Sequence, residues 1–209
     1  MTVYVESNFV LEIALGQKQS EAAEPILVHA ERGGVELVIP SCALLEPFST
    51  VRRQGDRRRE LRNRLNEEIR SLERSSPHAS DTVKLKPMAD LFAEIEDREK
   101  KRLDETVQRV IEVATIIEIN AMLYGEALAL SVEFDFKKMP DAIVGAAVLN
   151  DLAEPRGSDP HYFATRDAED FGEDKLRERF EALGCSVVHS FDQCAQRLGI
   201  QRSRLIRSD

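Results

Sequence analysis

The 209-residue sequence has no tryptophan, three cysteines and an aromatic content of 6%. Cys42, Cys185 and Cys194 are odd in number and show no CxxC spacing, so they frame neither a disulfide scaffold nor a structural zinc site and read as reduced thiols. His29, His78, His161 and His189 are scattered without metal-ligand spacing and read as core or surface residues. There is no GxxxxGK[ST] loop, no GxGxxG after a strand and no GxSxG elbow, which excludes the usual nucleotide and serine-hydrolase signatures. The opening MTVYVESNF has no basic stretch ahead of an apolar one, and no uncharged apolar run reaches the ~18 residues of a membrane span. The expectation is a cytoplasmic protein with no membrane partner.

Positive charge is also in short supply. Lys and Arg number 29 against 38 Asp and Glu, a net charge of −9, so the field of the whole molecule repels nucleic acid. Any RNA binding then needs a local basic face and bound cations. What is present is ordinary for a globular chain with long exposed helices: 42% hydrophobic and 32% charged residues. The length suits one domain spanning 1–200 that carries an insertion over 51–115, with 201–209 as a loose polar tail.

Thr2 to Glu6 reads as a strand running into a helix that carries Phe9, Leu11, Ile13 and Leu15 and ends at Gly16. A second helix spans about Ser20 to Glu31, and Gly33-Gly34 precedes a strand from Val35 to Ile39. Pro40-Ser41 opens the next helix, with Glu46 one to two turns in. Val51 to Arg74 forms a long amphipathic helix on Leu61, Leu65, Ile69 and Leu72, and a charged helix follows from Pro87 to about Ile111, with Met88, Leu91, Phe92 and Ile95 on one side. Helices are expected over Glu118 to Val132, Asp141 to Leu152, Asp174 to Leu183 and Phe191 to Leu198, and strands over His161 to Thr165 and Cys185 to Val188. The pattern predicts an α/β fold, a parallel sheet of about four to five strands flanked by helices, with an inserted charged helical hairpin.

Glu6, Glu46, Asp141 and Asp167 fall where such a sheet gathers separate segments, near the carboxyl ends of its strands. Crowded carboxylates raise one another's pKa unless a cation compensates, and an all-oxygen set suits magnesium or manganese. Two such ions could serve an in-line phosphodiester displacement. Each acid also has a plainer reading. Asp141 stands at a helix start, where an acid caps and meets the helix dipole, and Asp167 and Asp170 in TRDAEDF suit a turn that caps the next helix. Glu6, at the end of an apolar strand, is expected to be at least half buried and in need of a partner.

Four segments together resemble the PIN family of metal-dependent nucleases: VYVESNFVLEIAL, IPSCALLEPF, KMPDAIVGAAV and FATRDAEDF, in the family's order and strand context. The resemblance covers 1 to about 50 and 118 to about 190 and leaves the helical insertion aside. It implies a PIN-like fold and magnesium- or manganese-dependent hydrolysis of RNA phosphodiester bonds, in a bacterial toxin or defence role. Glu6, Glu46, Asp141 and Asp167 would be catalytic metal ligands, Asp170 an additional ligand, and Ser7, Asn8 and Thr165 orienting groups around them. The implied partners are an RNA substrate, an antitoxin or regulatory protein, and a second copy of the chain. One departure is Glu6, where the family usually carries Asp; it moves the carboxylate about one methylene, roughly 1.3 Å, from the backbone. The alternative reading is a catalytically inactive PIN-like module that binds a protein or RNA partner.

The insertion holds Arg52, Arg53, Arg57, Arg58, Arg59, Arg62, Arg64, Arg70 and Arg74, interleaved with Asp56, Glu60, Glu67, Glu68 and Glu73. A solvated helix laced with i,i+4 ion pairs accounts for most of this. Arg57, Arg58 and Arg59 are its candidate RNA phosphate contacts.

Overall fold

The computed structural model describes residues 1–75, 77, 79–155 and 159–200. His78 and the expected tail, 201–209, lie outside the described residues. The chain runs β1 (Thr2–Val5), α1 (Ser7–Leu15), α2 (Ser20–Glu31), β2 (Glu36–Pro40), a 3-10 turn (Ser41–Leu44), α3 (Glu46–Glu73), a second 3-10 turn (Ala79–Asp81) and α4 (Thr82–Val113). It continues through β3 (Thr115–Ile117), α5 (Ala121–Glu133), α6 (Met139–Ala153), β4 (His161–Ala164), α7 (Asp174–Ala182), β5 (Cys185–Val188) and α8 (Phe191–Arg197).

The fold is α/β, with a five-stranded sheet in the order β3-β2-β1-β4-β5 and every neighbouring pair parallel. Parallel strands need crossovers, and the helices supply them while covering the sheet. Val3, Tyr4 and Val5 in central β1 are fully buried, which is why that strand reads as an apolar run. From β1 the chain steps outward through β2 to β3, then returns to the far side of β1 for β4 and β5. The order therefore reverses between β1 and β4, and the crevice at their carboxyl ends is where such sheets bind ligands.

Local chemistry sets the element ends. Glu6 caps α1 by accepting the Asn8 N–H, and Gly16 closes the helix at φ +59°, returning its N–H to the Glu12 and Ile13 carbonyls. α6 starts at Met139, with Pro140 in its first turn and Asp141 directly behind. Its small residues let it sit tightly: a Cβ on Gly145 would lie 3.1 Å from Leu130 and 3.3 Å from the Phe171 ring. Gly145→Val is expected to cost about 1–3 kcal/mol by overpacking. Urea melts should show a lower midpoint at unchanged slope; an unshifted midpoint would mean the contact yields freely.

The structure corrects several sequence expectations. Glu46 is the first residue of α3, since a 3-10 turn absorbs Ser41–Leu44 and Pro47 suits the start of the helix. α4 begins at Thr82 and runs through Pro87; the i−4 carbonyl freed by that proline belongs to Val83, which is 69% exposed and open to water. β3 is a strand that periodicity did not predict, and α5 starts at Ala121, capped by the Asn120 side chain, rather than at Glu118.

The inserted hairpin, α3 against α4, buries Ile69, Ala89 and Leu103 but leaves Leu61, Met88 and Leu91 exposed. Ion pairs also cross its seam. Arg58 pairs with Glu99, Arg59 reaches Glu96 at 2.8 Å, and Gly55 gives Glu96 room to lie across the contact. Among the described residues, no helix is long and apolar enough to cross a membrane.

Candidate metal centre

Five acids arrive from four segments at the carboxyl edge of the sheet. Glu6 follows β1, Glu46 opens α3 after β2, Asp141 sits in the first turn of α6, and Asp167 and Asp170 follow β4. Asp141, Asp167 and Asp170 each present a carboxylate oxygen within 4.8 Å of the others.

The loop after β4 is folded by its own side chains. Asp167 Oδ1 accepts the Asp170 N–H at 2.9 Å and the Glu169 N–H at 3.1 Å, the turn expected from TRDAEDF. Thr165 Oγ1 accepts the Asp167 N–H at 2.9 Å, and Asp170 Oδ1 accepts the Lys137 N–H at 3.3 Å. These bonds engage one oxygen of each aspartate.

Asp141 differs from both. Its Oδ2 is buried without a hydrogen-bond partner, and the Lys138 ammonium stands 4.0 Å away, beyond hydrogen-bond reach. Burial pushes the Asp141 carboxyl up to about 7; Asp170, Asp167 and Glu46 push the same way, and Lys138 opposes them.

Glu6 is buried, as expected, and it is well supplied with partners. Its Oε2 accepts the Asn8 N–H at 2.8 Å and the Ser7 hydroxyl at 3.0 Å, while Oε1 accepts from Thr165 Oγ1 at 3.2 Å. Burial raises its pKa, and the bonds from Asn8, Ser7 and Thr165 oppose that rise. The Ser7 hydroxyl also lies 2.8 Å from Glu46 Oε2. With one proton to give, it serves one carboxylate at a time, and a cation or a second proton completes the pair. Glu46 itself is exposed, flanked by Leu45 at 70% and Phe48 at 41% exposure.

No protein-family model, curated protein or solved structure matches this chain. The reading of the site rests on its own geometry and on the resemblance of its motifs.

The donor set fits a hard divalent cation: oxygen ligands, a partnerless buried oxygen on Asp141, and mutual repulsion with too little positive charge nearby. Cys42 stands close by, but burial, with Glu46 and Asp141 adding to it, pushes its thiol up to about 11, which rules out a ready thiolate. The structure thus groups the acids in two sets, the Asp141, Asp167, Asp170 triad and the Glu6, Glu46 pair joined by Ser7. Thr165 connects them, bonded to Glu6 on one side and Asp167 on the other. Thr165→Val should weaken Mn2+ binding about 10–100-fold in calorimetry, with Thr165→Ser restoring it. Equal affinities in all three proteins would remove this linking role.

Of the proposed RNA contacts, Arg58 and Arg59 are engaged by Glu99 and Glu96 inside the hairpin, and Arg57 is exposed. Sequence reasoning missed a further pair beside the site. Glu12, fully buried on α1, forms an ion pair with Arg166, which lies between Thr165 and Asp167. An acid inside the apolar run VLEIAL was the available signal.

Proposed function

We propose that the chain is a magnesium- or manganese-dependent endoribonuclease of PIN-like type, acting in a toxin or defence role. The observation that carries this reading is the partnerless buried oxygen of Asp141 facing Asp167 and Asp170 at the crevice between β1 and β4. The choice of RNA, and of the PIN family, rests on the four motifs.

Asp141, Asp167 and Asp170 would hold the ion, with Glu46 within electrostatic reach of Asp141. When bound, the ion supplies stabilisation of the charge that develops on phosphate oxygens during displacement. Glu6, through Ser7 and Thr165, orients Glu46 and the Asp167 turn. Asp141 Oδ2, which has no hydrogen-bond partner of its own, is free to take the ion or a water beside it.

The test is cleavage of labelled single-stranded and structured RNAs by purified protein with Mn2+, Mg2+ or chelator, beside Asp141→Asn. Metal-dependent cutting lost in the variant supports the reading; no cutting of any RNA with any metal sinks it. A second reading, a non-catalytic module that binds a protein partner, is favoured by one observation: Met122, Tyr124, Leu128 and Val132 expose apolar surface along α5. It predicts that a change such as Leu128→Asp abolishes partner capture while leaving metal binding untouched.

A further inference from the structure

The insertion contains nine arginines between 52 and 74, and the structure divides them by what they face. Arg58, Arg59 and Arg64 form ion pairs, with Glu99, with Glu96 and Asp56, and with Glu60. Arg62, Arg70 and Arg74, farther along α3, make no ion pair among the described residues, so position sets apart the arginines nearest the acid cluster. Arg52, Arg53 and Arg57 are exposed, and none has an acidic partner among the described residues; Arg53 makes one bond, to the neutral Thr50 hydroxyl at 3.1 Å.

Helical spacing gives these cations a direction. Glu46, Arg53 and Arg57 are separated by seven and four residues, so they share one stripe of α3. The stripe lies opposite the face formed by Val51, Gly55, Arg58 and Ile69, which packs on α4 or is buried. Its foot is fixed at the site by the Ser7 contact to Glu46. At a rise of 1.5 Å per residue, Arg53 stands about 10 Å and Arg57 about 16 Å along the axis from Glu46. The two arginines are thus about 6 Å apart along the helix, a spacing commensurate with successive phosphates of an extended strand.

We propose that this stripe is a phosphate track: a single-stranded polynucleotide leaving the acid cluster lies along α3, with Arg53 and Arg57 contacting its backbone. This rests on the nuclease reading for the strand's point of departure and deepens it by naming the substrate form, an extended single strand several nucleotides longer than the cleaved linkage. The contacts are to phosphate, so the track reads no sequence. On a chain of net charge −9, it sets exposed cations beside the acid cluster, where a strand leaving it would meet them.

The test measures binding separately from cutting. Fluorescence anisotropy with a labelled twelve-nucleotide RNA and with a trinucleotide, in chelator so that nothing is cut, is followed from low to moderate salt. The proteins are the full chain, Arg53→Gln/Arg57→Gln, and the charge-matched control Arg98→Gln/Lys101→Gln on α4, whose residues are also exposed. Losing two phosphate contacts should flatten the slope of log affinity against log salt by about 1.4 for the longer strand. The control should keep the parent slope, and trinucleotide affinity should be the same in all three.

An unchanged slope in the track variant, or an equal fall in the control, overturns the proposal. So does absence of binding to the long strand, including the case where the stripe instead captures an acidic protein segment. The nuclease reading fails separately: if metal-dependent cutting is absent but the slope changes as expected, the track stands without the enzyme. If short RNAs are cut and the slope does not change, the enzyme stands without the track.

Discussion

Asp141→Asn should raise the thermal midpoint of the metal-free protein at pH 8 and abolish the further rise that Mn2+ gives the parent chain. The Asp141 carboxyl has an ordinary value of 3.8 and is pushed to about 7 in the folded chain. Between those values the folded protein holds a proton that the unfolded protein has released. Stability of the metal-free protein therefore falls as the pH rises through 7, and is recovered as it drops toward 4. The full penalty at alkaline pH approaches about 4 kcal/mol at 1.36 kcal/mol per pH unit.

The side chain retains 19% exposure, so the gain from neutralising it is expected near half of that, about 2 kcal/mol or about 4–8 °C. At pH 5 the gain should shrink to less than half, and it should vanish only below the ordinary value of 3.8, where both states hold the proton. Saturating Mn2+ at a hundred times its dissociation constant should stabilise the parent by about 2.7 kcal/mol and leave the variant unmoved. Cleavage should fall more than about a hundredfold, since even loss of outer partners costs 10–100-fold. A variant less stable than its parent at pH 8 without metal, or one that keeps the Mn2+ shift, would show that Asp141 is an ordinary helix-start acid.

Arg166→Ala should be the most damaging single change beside the site. It leaves Glu12 fully buried with its charge uncompensated, and the remaining bond from the Gln19 N–H at 2.7 Å does not neutralise it. Breaking a buried pair from one side costs about 3–5 kcal/mol. Arg166 is partly exposed, 37% in its side chain, so the lower end applies, about 3 kcal/mol and 6–12 °C. Replacing both partners, Glu12→Leu with Arg166→Met, should return stability to within about 1 kcal/mol of the parent. Urea melts of the parent and the two variants decide it: a loss below about 1 kcal/mol in Arg166→Ala would mean that the Glu12 and Arg166 pair contributes little to the fold. Because Arg166 lies between Thr165 and Asp167, the single variant should also weaken Mn2+ binding, and the double variant should recover fold without recovering affinity.

Much of the sheet was legible because its punctuation is chemical. Gly16 and Gly184 mark real boundaries, and Cys185–Val188 and Ser20–Glu31 stand where apolar pattern and breakers placed them, whereas the Asn120 cap went unread inside a helix expected from Glu118. β3 escaped because three residues directly after a 32-residue helix give no room for a period-two pattern. Pro87 misled because a proline usually marks a helix start, whereas here α4 carries it near an exposed end. In the site, order along the chain pointed to the right edge of the sheet but could not rank the acids. Asp170, an afterthought by sequence, belongs to the tightest triad, while both Glu6 oxygens are held by neighbouring hydroxyls and an amide. The Glu12 and Arg166 pair spans two strands' worth of tertiary structure, which no local pattern encodes.

The long hairpin has a kinetic meaning as well. β2 and β3 lie side by side, Pro40 opposite Ile117, yet all of α3 and α4 separates them in the chain. Bringing those strands together from a structureless coil would carry the closure entropy of the whole segment and slow the search for parallel register. Two helices packed antiparallel, joined by Arg58 and Glu99, fold the intervening chain back on itself. The ends then arrive near one another, and length added at the far tip of the hairpin should scarcely change the folding rate.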